Sequence, residues 1–142
     1  MILTTSKTIF AFANLMSTLK IVFQLTKFRL SFLVSFSAIF GFVLASDSFR
    51  ILDLLILGLS GYLVTASSVI NNQILEKDLD KKMDRTKKRP LPTNKISKKN
   101  SLIISLIFMF FGLFLMLFFF NMIACLLSLV SLILYTFVYT PL

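Results

Sequence analysis

Residues Asn72 to Pro92 read NQILEKDLDKKMDRTKKRPLP. This stretch begins at the end of a long apolar segment and leads into a loop that holds ten of the fifteen Lys and Arg residues. Pro90 and Pro92 prevent a continuous helix through this loop. The stretch therefore marks the point where a membrane segment meets water, with polar and charged side chains concentrated at the boundary.

The composition indicates an integral membrane protein. Of the 142 residues, 57% are hydrophobic, against about 45–50% in an ordinary soluble domain. The net charge of +9 flanks the apolar segments, so membrane topology and anionic headgroups explain it better than nucleic acid does. The single cysteine, Cys125, excludes a disulfide within the sequence, and the absence of His excludes His ligation of zinc or haem iron by it.

The apolar segments predict an all-α, polytopic transmembrane helical bundle, because each approaches the ~20 residues that cross a bilayer. Residues 1–26 are interpreted as a cytoplasmic arm with an interfacial amphipathic helix, and they lack the pattern of a cleavable signal peptide. The remaining residues, 27–142, form the predicted transmembrane domain. Its spans are expected at about 28–45, 54–75, 102–120 and 122–138, with a cytoplasmic loop at 76–101.

The distribution of basic residues predicts the orientation. Four lie near the N-terminus, Arg50 lies in the first turn between spans, and the other ten lie in the 76–101 loop. The positive-inside rule then places the N-terminus, this loop and the C-terminus in the cytoplasm. We expect a multi-pass protein of the cell inner (cytoplasmic) membrane.

Asn72, Glu76 and Asp80 are the candidate catalytic and metal-binding residues. Steps of four drift only about 40° around a helix, so the three share one face, and Asp84 falls one further step along. Their amide and carboxylate oxygens are the ligands that Mg²⁺ prefers, usually together with substrate phosphate. The alternative is a solvated loop whose acidic and basic side chains pair with each other, such as Asp84 with Lys88.

The basic side chains beside this face suit a diphosphate group, since Lys and Arg neutralise it and Arg contacts it bidentately. Arg29 at the start of the first span is either an interface anchor or a further diphosphate contact. Tyr135 and Tyr139 fit an interfacial belt better than a site role. The basic candidates in the loop are Lys81, Lys82, Arg85, Lys88 and Arg89.

The stretch resembles the first acidic motif of the UbiA superfamily of intramembrane prenyltransferases. The pattern is N-Q-x-x-E-x-x-x-D-x-x-M-x-R-T-K-x-R-P-L-P from Asn72 to Pro92, and its second half is most similar to the haem-directed branch. Two flanking segments agree with the resemblance, LTKFRLSF at 25–32 and YTPL at 139–142. The resemblance covers about residues 25–142.

The resemblance implies an enzyme that transfers a farnesyl group from farnesyl diphosphate to a vinyl group of haem B, giving haem O and diphosphate. Mg²⁺ is the implied cofactor, with Asn72, Glu76 and Asp80 in the metal role. The implied diphosphate contacts are Arg29, Arg85, Lys88 and Arg89. The superfamily usually has Asp where Glu76 stands; Glu keeps the carboxylate on a longer arm.

Two features of the superfamily are missing from the sequence: about five further spans and a second Asp-rich motif. We therefore expect an N-terminal half that is inactive alone, or active only when a second polypeptide supplies the remaining helices. Three alternatives stay open. The acceptor is a quinone precursor instead of haem, or the chain is a non-catalytic four-helix protein whose basic loop binds lipid or a partner, or it is the remnant of a split gene. No nucleic-acid partner is expected.

Overall fold

All regular secondary structure in the described part of the chain is helical. The computed structural model describes residues 16–139, so the first part of the predicted arm and the end of the YTPL segment lie outside the described residues. The last α-helix continues directly into a π-helical segment, Leu134–Tyr139. The α-helices are α1 Met16–Leu25, α2 Phe28–Ala45, α3 Ile51–Leu75, α4 Lys77–Asp80, α5 Lys98–Phe119 and α6 Met122–Ile133.

Helices α2, α3 and α5 are long and apolar enough to cross a membrane, and a shorter apolar helix, Met122–Val138, corresponds to the fourth predicted span. The prediction of a membrane helical bundle is confirmed. Helices α3 and α5 begin three and four residues before the predicted spans, at Ile51 and Lys98. In α5, polar residues extend the helix beyond the apolar run to its cap, where Ser97 accepts a hydrogen bond from Asn100 N at 3.1 Å. Helix α3 begins at its own cap, where the backbone N–H of Arg50 donates to Asp53 Oδ2 at 3.1 Å.

Helix α3 lies at the centre of the bundle and packs against α2, α5 and α6. Its interface with α5 is the most extensive among the described helices and contains small polar side chains. The hydroxyls of Ser67 and Ser105 are 2.9 Å apart there, and Ser105 donates to Asn71 Oδ1 at 2.7 Å. Many Leu and Phe side chains point outward instead. In a lipid solvent, we expect this arrangement, in which hydroxyls are buried between helices and large apolar side chains face outward.

An apolar cluster closes the end of the bundle beneath the basic loop. Leu25, Ile70 and Leu91 are fully buried there and come from the end of α1, from α3 and from the loop. Ile74, Ile96, Ile104 and Phe108 pack around them. The buried Leu91 side chain packs the loop against the bundle. The alternative of a solvated loop is therefore wrong for the part around Pro90–Pro92.

Candidate functional site

The one-turn spacing of Asn72, Glu76 and Asp80 is present, although α3 ends at Leu75. The backbone N–H of Glu76 donates to Asn72 O at 2.9 Å, and that of Asp80 donates to Glu76 O at 2.8 Å. These two bonds carry the helical repeat across the break between α3 and α4. The expected further step to Asp84 is wrong, because α4 ends at Asp80 and the exposed Asp84 side chain pairs with Lys87.

Asp80 forms a buried ion pair with Arg89. Arg89 Nη1 donates to both carboxylate oxygens, at 2.9 Å to Oδ1 and 2.7 Å to Oδ2. The Asp80 side chain is only 4% exposed and that of Arg89 22%. The Thr86 hydroxyl also donates to Asp80 O at 3.0 Å. The loop is therefore folded back onto the end of α4 by this pair, which the separate assignment of Asp80 to metal and Arg89 to diphosphate did not foresee.

Three of the four predicted diphosphate residues line one concave surface. A largely open surface depression of about 280 Å³, which we call the basic recess, is lined by Arg85, Lys88, Arg89, Gln24 and Pro90. Arg29, the fourth, is exposed and outside this lining. A concave surface with three convergent cations suits an anion of diphosphate size.

Lys27 lies near enough to the same charges for them to affect its pKa, and it was not among the candidate residues. Burial lowers the pKa of Lys27 below its usual value, and the positive charge of Arg89 lowers it further. The carboxylates of Glu76 and Asp80 oppose this shift, and Arg85 adds a smaller lowering effect. Lys27 lies in the turn before α2, whereas the exposed Arg29 lies in the first turn of that helix. Helical spacing therefore does not relate the two side chains, and only the packing of the turn shows that Lys27 lies near the cluster.

The amide and carboxylate oxygens of Asn72, Glu76 and Asp80 are of the kind that magnesium binds. Within residues 16–139 no group of three or more Asp, Glu, Cys or His side chains could hold a metal. Arg89 Nη1 already contacts both oxygens of Asp80. Mg²⁺ commonly binds one or two carboxylates and keeps substrate phosphate as a further ligand. The donor chemistry of Asn72, Glu76 and Asp80 therefore fits once Arg89 has an alternative anion.

An apolar cavity of about 360 Å³ lies between α2, α3 and α6. Its lining includes Leu30, Ser68 and Tyr135. Leu30 is three residues beyond Lys27, and Ser68 is one turn, about 6 Å of helix rise, before Asn72. The cavity thus opens about one turn deeper in the bundle than the charged cluster. The side chain of Tyr139 lies outside the described residues.

Comparison with known proteins agrees with the motif. The UbiA prenyltransferase family matches residues 34–142. The chain is 40% identical over 121 residues to "Protoheme IX farnesyltransferase" of Cytophaga hutchinsonii, covering 84% of this chain and 42% of that protein. It is 37% identical over 119 residues to the protein of the same name from Christiangramia forsetii, covering 84% and 39%. It is 41% identical over 114 residues to that of Baumannia cicadellinicola, covering 78% and 38%.

No solved structure matches the chain significantly. The chain spans about two fifths of the length of these curated relatives. The family match itself extends over well over half of the chain and includes the whole charged cluster from Asn72 to Pro92. This protein, a membrane helical bundle with a basic recess at one end, therefore belongs to the UbiA prenyltransferase family.

Proposed function

We propose that this chain binds farnesyl diphosphate, with the diphosphate in the basic recess, for transfer of the farnesyl group to haem B. The observation that carries the proposal is the convergence of Arg85, Lys88 and Arg89 on one recess beside the Asn72–Glu76–Asp80 face. Charge-assisted contacts to phosphate oxygens are among the strongest hydrogen bonds in proteins. Lys27, whose ammonium interacts with the same cluster, supplies a fourth cation.

The reaction proposed for the complete site follows from the names of the relatives and from the motif. The bond between the farnesyl C1 and the diphosphate oxygen breaks, and diphosphate leaves with the electron pair. A vinyl carbon of haem B bonds to C1, water adds to the resulting cation, and a proton is released. The products are haem O and diphosphate.

The residues of this chain act mainly on the leaving group. Arg85 and Lys88 neutralise the diphosphate, and Arg89 moves from Asp80 to the incoming anion, which frees the Asp80 carboxylate. Magnesium bound with the substrate would neutralise charge that develops on the leaving oxygen. Asn72, Glu76 and Asp80 are the residues proposed to hold it.

The apolar cavity between α2, α3 and α6 is the proposed site of the farnesyl chain. Its volume of about 360 Å³ lies within the ~300–1,000 Å³ typical of ligand pockets. It opens about one turn from the level of Lys27 and Asn72, so a diphosphate in the recess directs its hydrocarbon chain into the membrane interior. Burial there also keeps water from the reactive allylic carbon.

The proposed location is the cell inner membrane, with the basic loop in the cytoplasm by the positive-inside rule. The relatives are about two and a half times as long as the matched segment. Turnover is accordingly proposed for a site that contains helices beyond these residues, whether they are supplied in the same polypeptide or by a second one. Diphosphate binding is proposed for the present chain.

The test is the affinity of the chain in phosphatidylcholine nanodiscs for farnesyl thiodiphosphate, measured by calorimetry with MgCl₂ present. We expect Arg85→Gln and Lys88→Gln each to weaken binding about tenfold, because a hydrogen bond to a charged group contributes roughly 1.5–3 kcal/mol. Lys99→Gln is the matched control: Lys99 is exposed, lies in the first turn of α5 and does not line the recess.

An equal loss of affinity in all three variants would contradict diphosphate binding in the basic recess. It would favour a general electrostatic role of the loop in binding anionic lipid or a partner. In that case Asp80→Asn and Glu76→Gln would leave function intact. The acceptor is tested separately in membranes that hold a complete site. Farnesyl transfer to haem B is expected. Transfer to an aromatic quinone precursor and not to haem B would contradict the proposal of haem as the acceptor.

A further inference from the structure

Three side chains from neighbouring helices hold the turn that joins α1 to α2. Gln73 Nε2 donates to Leu25 O at 2.6 Å, and the Tyr62 hydroxyl donates to Thr26 Oγ1 at 3.1 Å. Ser31 Oγ donates to Thr26 O at 2.8 Å. Thr26 itself is 1% exposed. The turn is thus fixed to α3 at two points, one of which, Gln73, follows Asn72 directly.

Lys27 occupies an unusual backbone conformation in this turn. Its φ of 45° and ψ of 57° lie in the left-handed region, which a Cβ disfavours. The residue ends α1, with its N–H donating to Gln24 O at 3.3 Å, and begins α2, with its carbonyl accepting from Leu30 N at 2.8 Å. Glycine is the usual residue at such a position. A non-glycine residue persists there when the surrounding structure holds it in place.

The buried side chain of Gln73 includes a polar atom whose burial lowers the stability of the fold. It is fully buried, and both contacts of its Nε2 are carbonyls, of Leu25 and of Val69 at 3.3 Å, which fixes the orientation of the amide. Its Oε1 is buried and has no hydrogen-bond partner among the residues that the structure describes. An apolar side chain would fill the same space without this unpaired oxygen. What the amide adds is the donor to Leu25 O.

We propose that Gln73, assisted by Tyr62, is a positioning residue that holds the α1–α2 turn, and with it the Lys27 side chain, beside the loop that carries Arg89. Two contacts place the end of α1 against this loop: Leu25 packs with Leu91, and Gln24 lines the basic recess. The inference rests on the proposed diphosphate binding. Two neighbouring residues at the end of α3 then have different roles. Asn72 belongs to the candidate metal face, and Gln73 positions the turn that carries Lys27. Gln73 acts through Lys27 and does not itself contact the diphosphate.

The test is a double-mutant cycle on the affinity for farnesyl thiodiphosphate, with the full chain in nanodiscs. Lys27→Met and Gln73→Met are each expected to weaken binding ~10-fold, the size of one lost contact to a charged group. Their combination is expected to weaken binding no more than either alone, because Gln73 acts only through Lys27. Additive losses would overturn the proposal, since Gln73 would then have an independent effect.

Amide hydrogen exchange gives a readout that does not depend on ligand. Gln73→Met is expected to speed exchange at Leu30 and Ser31, whose N–H groups donate to Lys27 O at 2.8 and 3.2 Å. Ser37→Ala, which removes only an exposed hydroxyl bonded to Leu33 O, is the control and is expected to change neither affinity nor exchange. Unchanged exchange in Gln73→Met would also overturn the proposal.

Two outcomes separate this proposal from the proposed function. If Arg85→Gln weakens binding but Lys27→Met does not, diphosphate binding stands and the positioning role fails. If the wild-type chain does not bind the analogue while Gln73→Met still speeds amide exchange in the turn, the proposed function fails. The role of Gln73 in holding the turn is then retained. If Gln73→Met does not fold, Tyr62→Phe replaces it in the double-mutant cycle with Lys27→Met. This substitution removes only the hydroxyl that donates to Thr26 in the same turn.

Discussion

Replacing Asp80 with Asn is expected to lower the free energy of unfolding by about 3 kcal/mol, the lower end of the range for breaking a buried ion pair. Both carboxylate oxygens accept from Arg89 Nη1, and the Asp80 side chain is only 4% exposed. The substitution leaves a largely buried guanidinium with a neutral partner. The loss is measured by thermal or SDS unfolding in detergent micelles, followed by circular dichroism.

Asp78→Asn is the matched control, two residues away in the same short helix. The Asp78 side chain is 76% exposed and pairs with Lys81 and Lys98 at 3.6 and 3.8 Å. Exposed pairs contribute roughly 0–1 kcal/mol, so we expect a change within about 0.5 kcal/mol. The double variant Asp80→Asn/Arg89→Gln is expected to be more stable than Asp80→Asn alone, because the unpaired charge is removed with its partner.

The same set of variants separates a structural role of Asp80 from a role limited to the metal. If Asp80→Asn and Asp78→Asn unfold alike, and only magnesium-dependent binding of the farnesyl analogue is lost, then the ion pair does not hold the loop. The exchange of Arg89 from Asp80 to the diphosphate would then contribute nothing to the resting structure. A loss of both stability and analogue binding is the result we expect.

Gly112→Leu is expected to lower the free energy of unfolding by about 2–3 kcal/mol, the upper part of the usual range for overpacking. A Cβ at Gly112 would lie 2.8 Å from Val64 Cγ2 and 3.0 Å from the backbone N of Val64. Backbone cannot rotate away as a side chain can, so α5 must shift from α3. The shift would also strain the bond between Ser67 and Ser105, which lies two turns away on the same interface.

Gly41→Leu is the control for this prediction. Gly41 lies in α2, and nothing stands within 4 Å of a Cβ built there. The substitution brings the same gain in helix propensity without a clash, so its stability is expected to stay level or rise by up to about 1 kcal/mol. Gly58→Leu is expected to fall between the two, because the nearest atom, 2.8 Å away, is the end of the Ile39 side chain. Equal stabilities for Gly112→Leu and Gly41→Leu would show that α3 and α5 do not pack closely.

The helices were largely predictable because their signals are local. Apolar runs of the required length and the prolines at 90 and 92 placed the spans to within four residues of the observed helices. The one-turn spacing of Asn72, Glu76 and Asp80 was also predictable, because backbone bonds between residues four apart depend only on neighbours in sequence. The wrong extension to Asp84 has the same origin, since spacing alone does not show where a helix ends.

The candidate site was only partly predictable because its contacts join distant parts of the chain. Arg85, Lys88 and Arg89 were identified as a basic cluster, but their convergence on a recess with Gln24 required the loop to fold back. Arg29 was selected as a candidate and Lys27 was not, although the charges of the cluster affect the pKa of Lys27. Gln73 appeared only as a letter of the motif, although its amide donates to the carbonyl of Leu25, 48 positions away.

Composition and spacing within single helices were enough to predict a membrane bundle with oxygen-bearing side chains and a dense positive charge at one boundary, and the motif indicated the family. The pairing of Asp80 with Arg89 and the hydrogen bonds of Gln73 and Tyr62 to the α1–α2 turn became apparent only from the packed helices. The physical reason is burial: once Leu25, Ile70 and Leu91 pack together, the polar groups beside them must find partners within the protein.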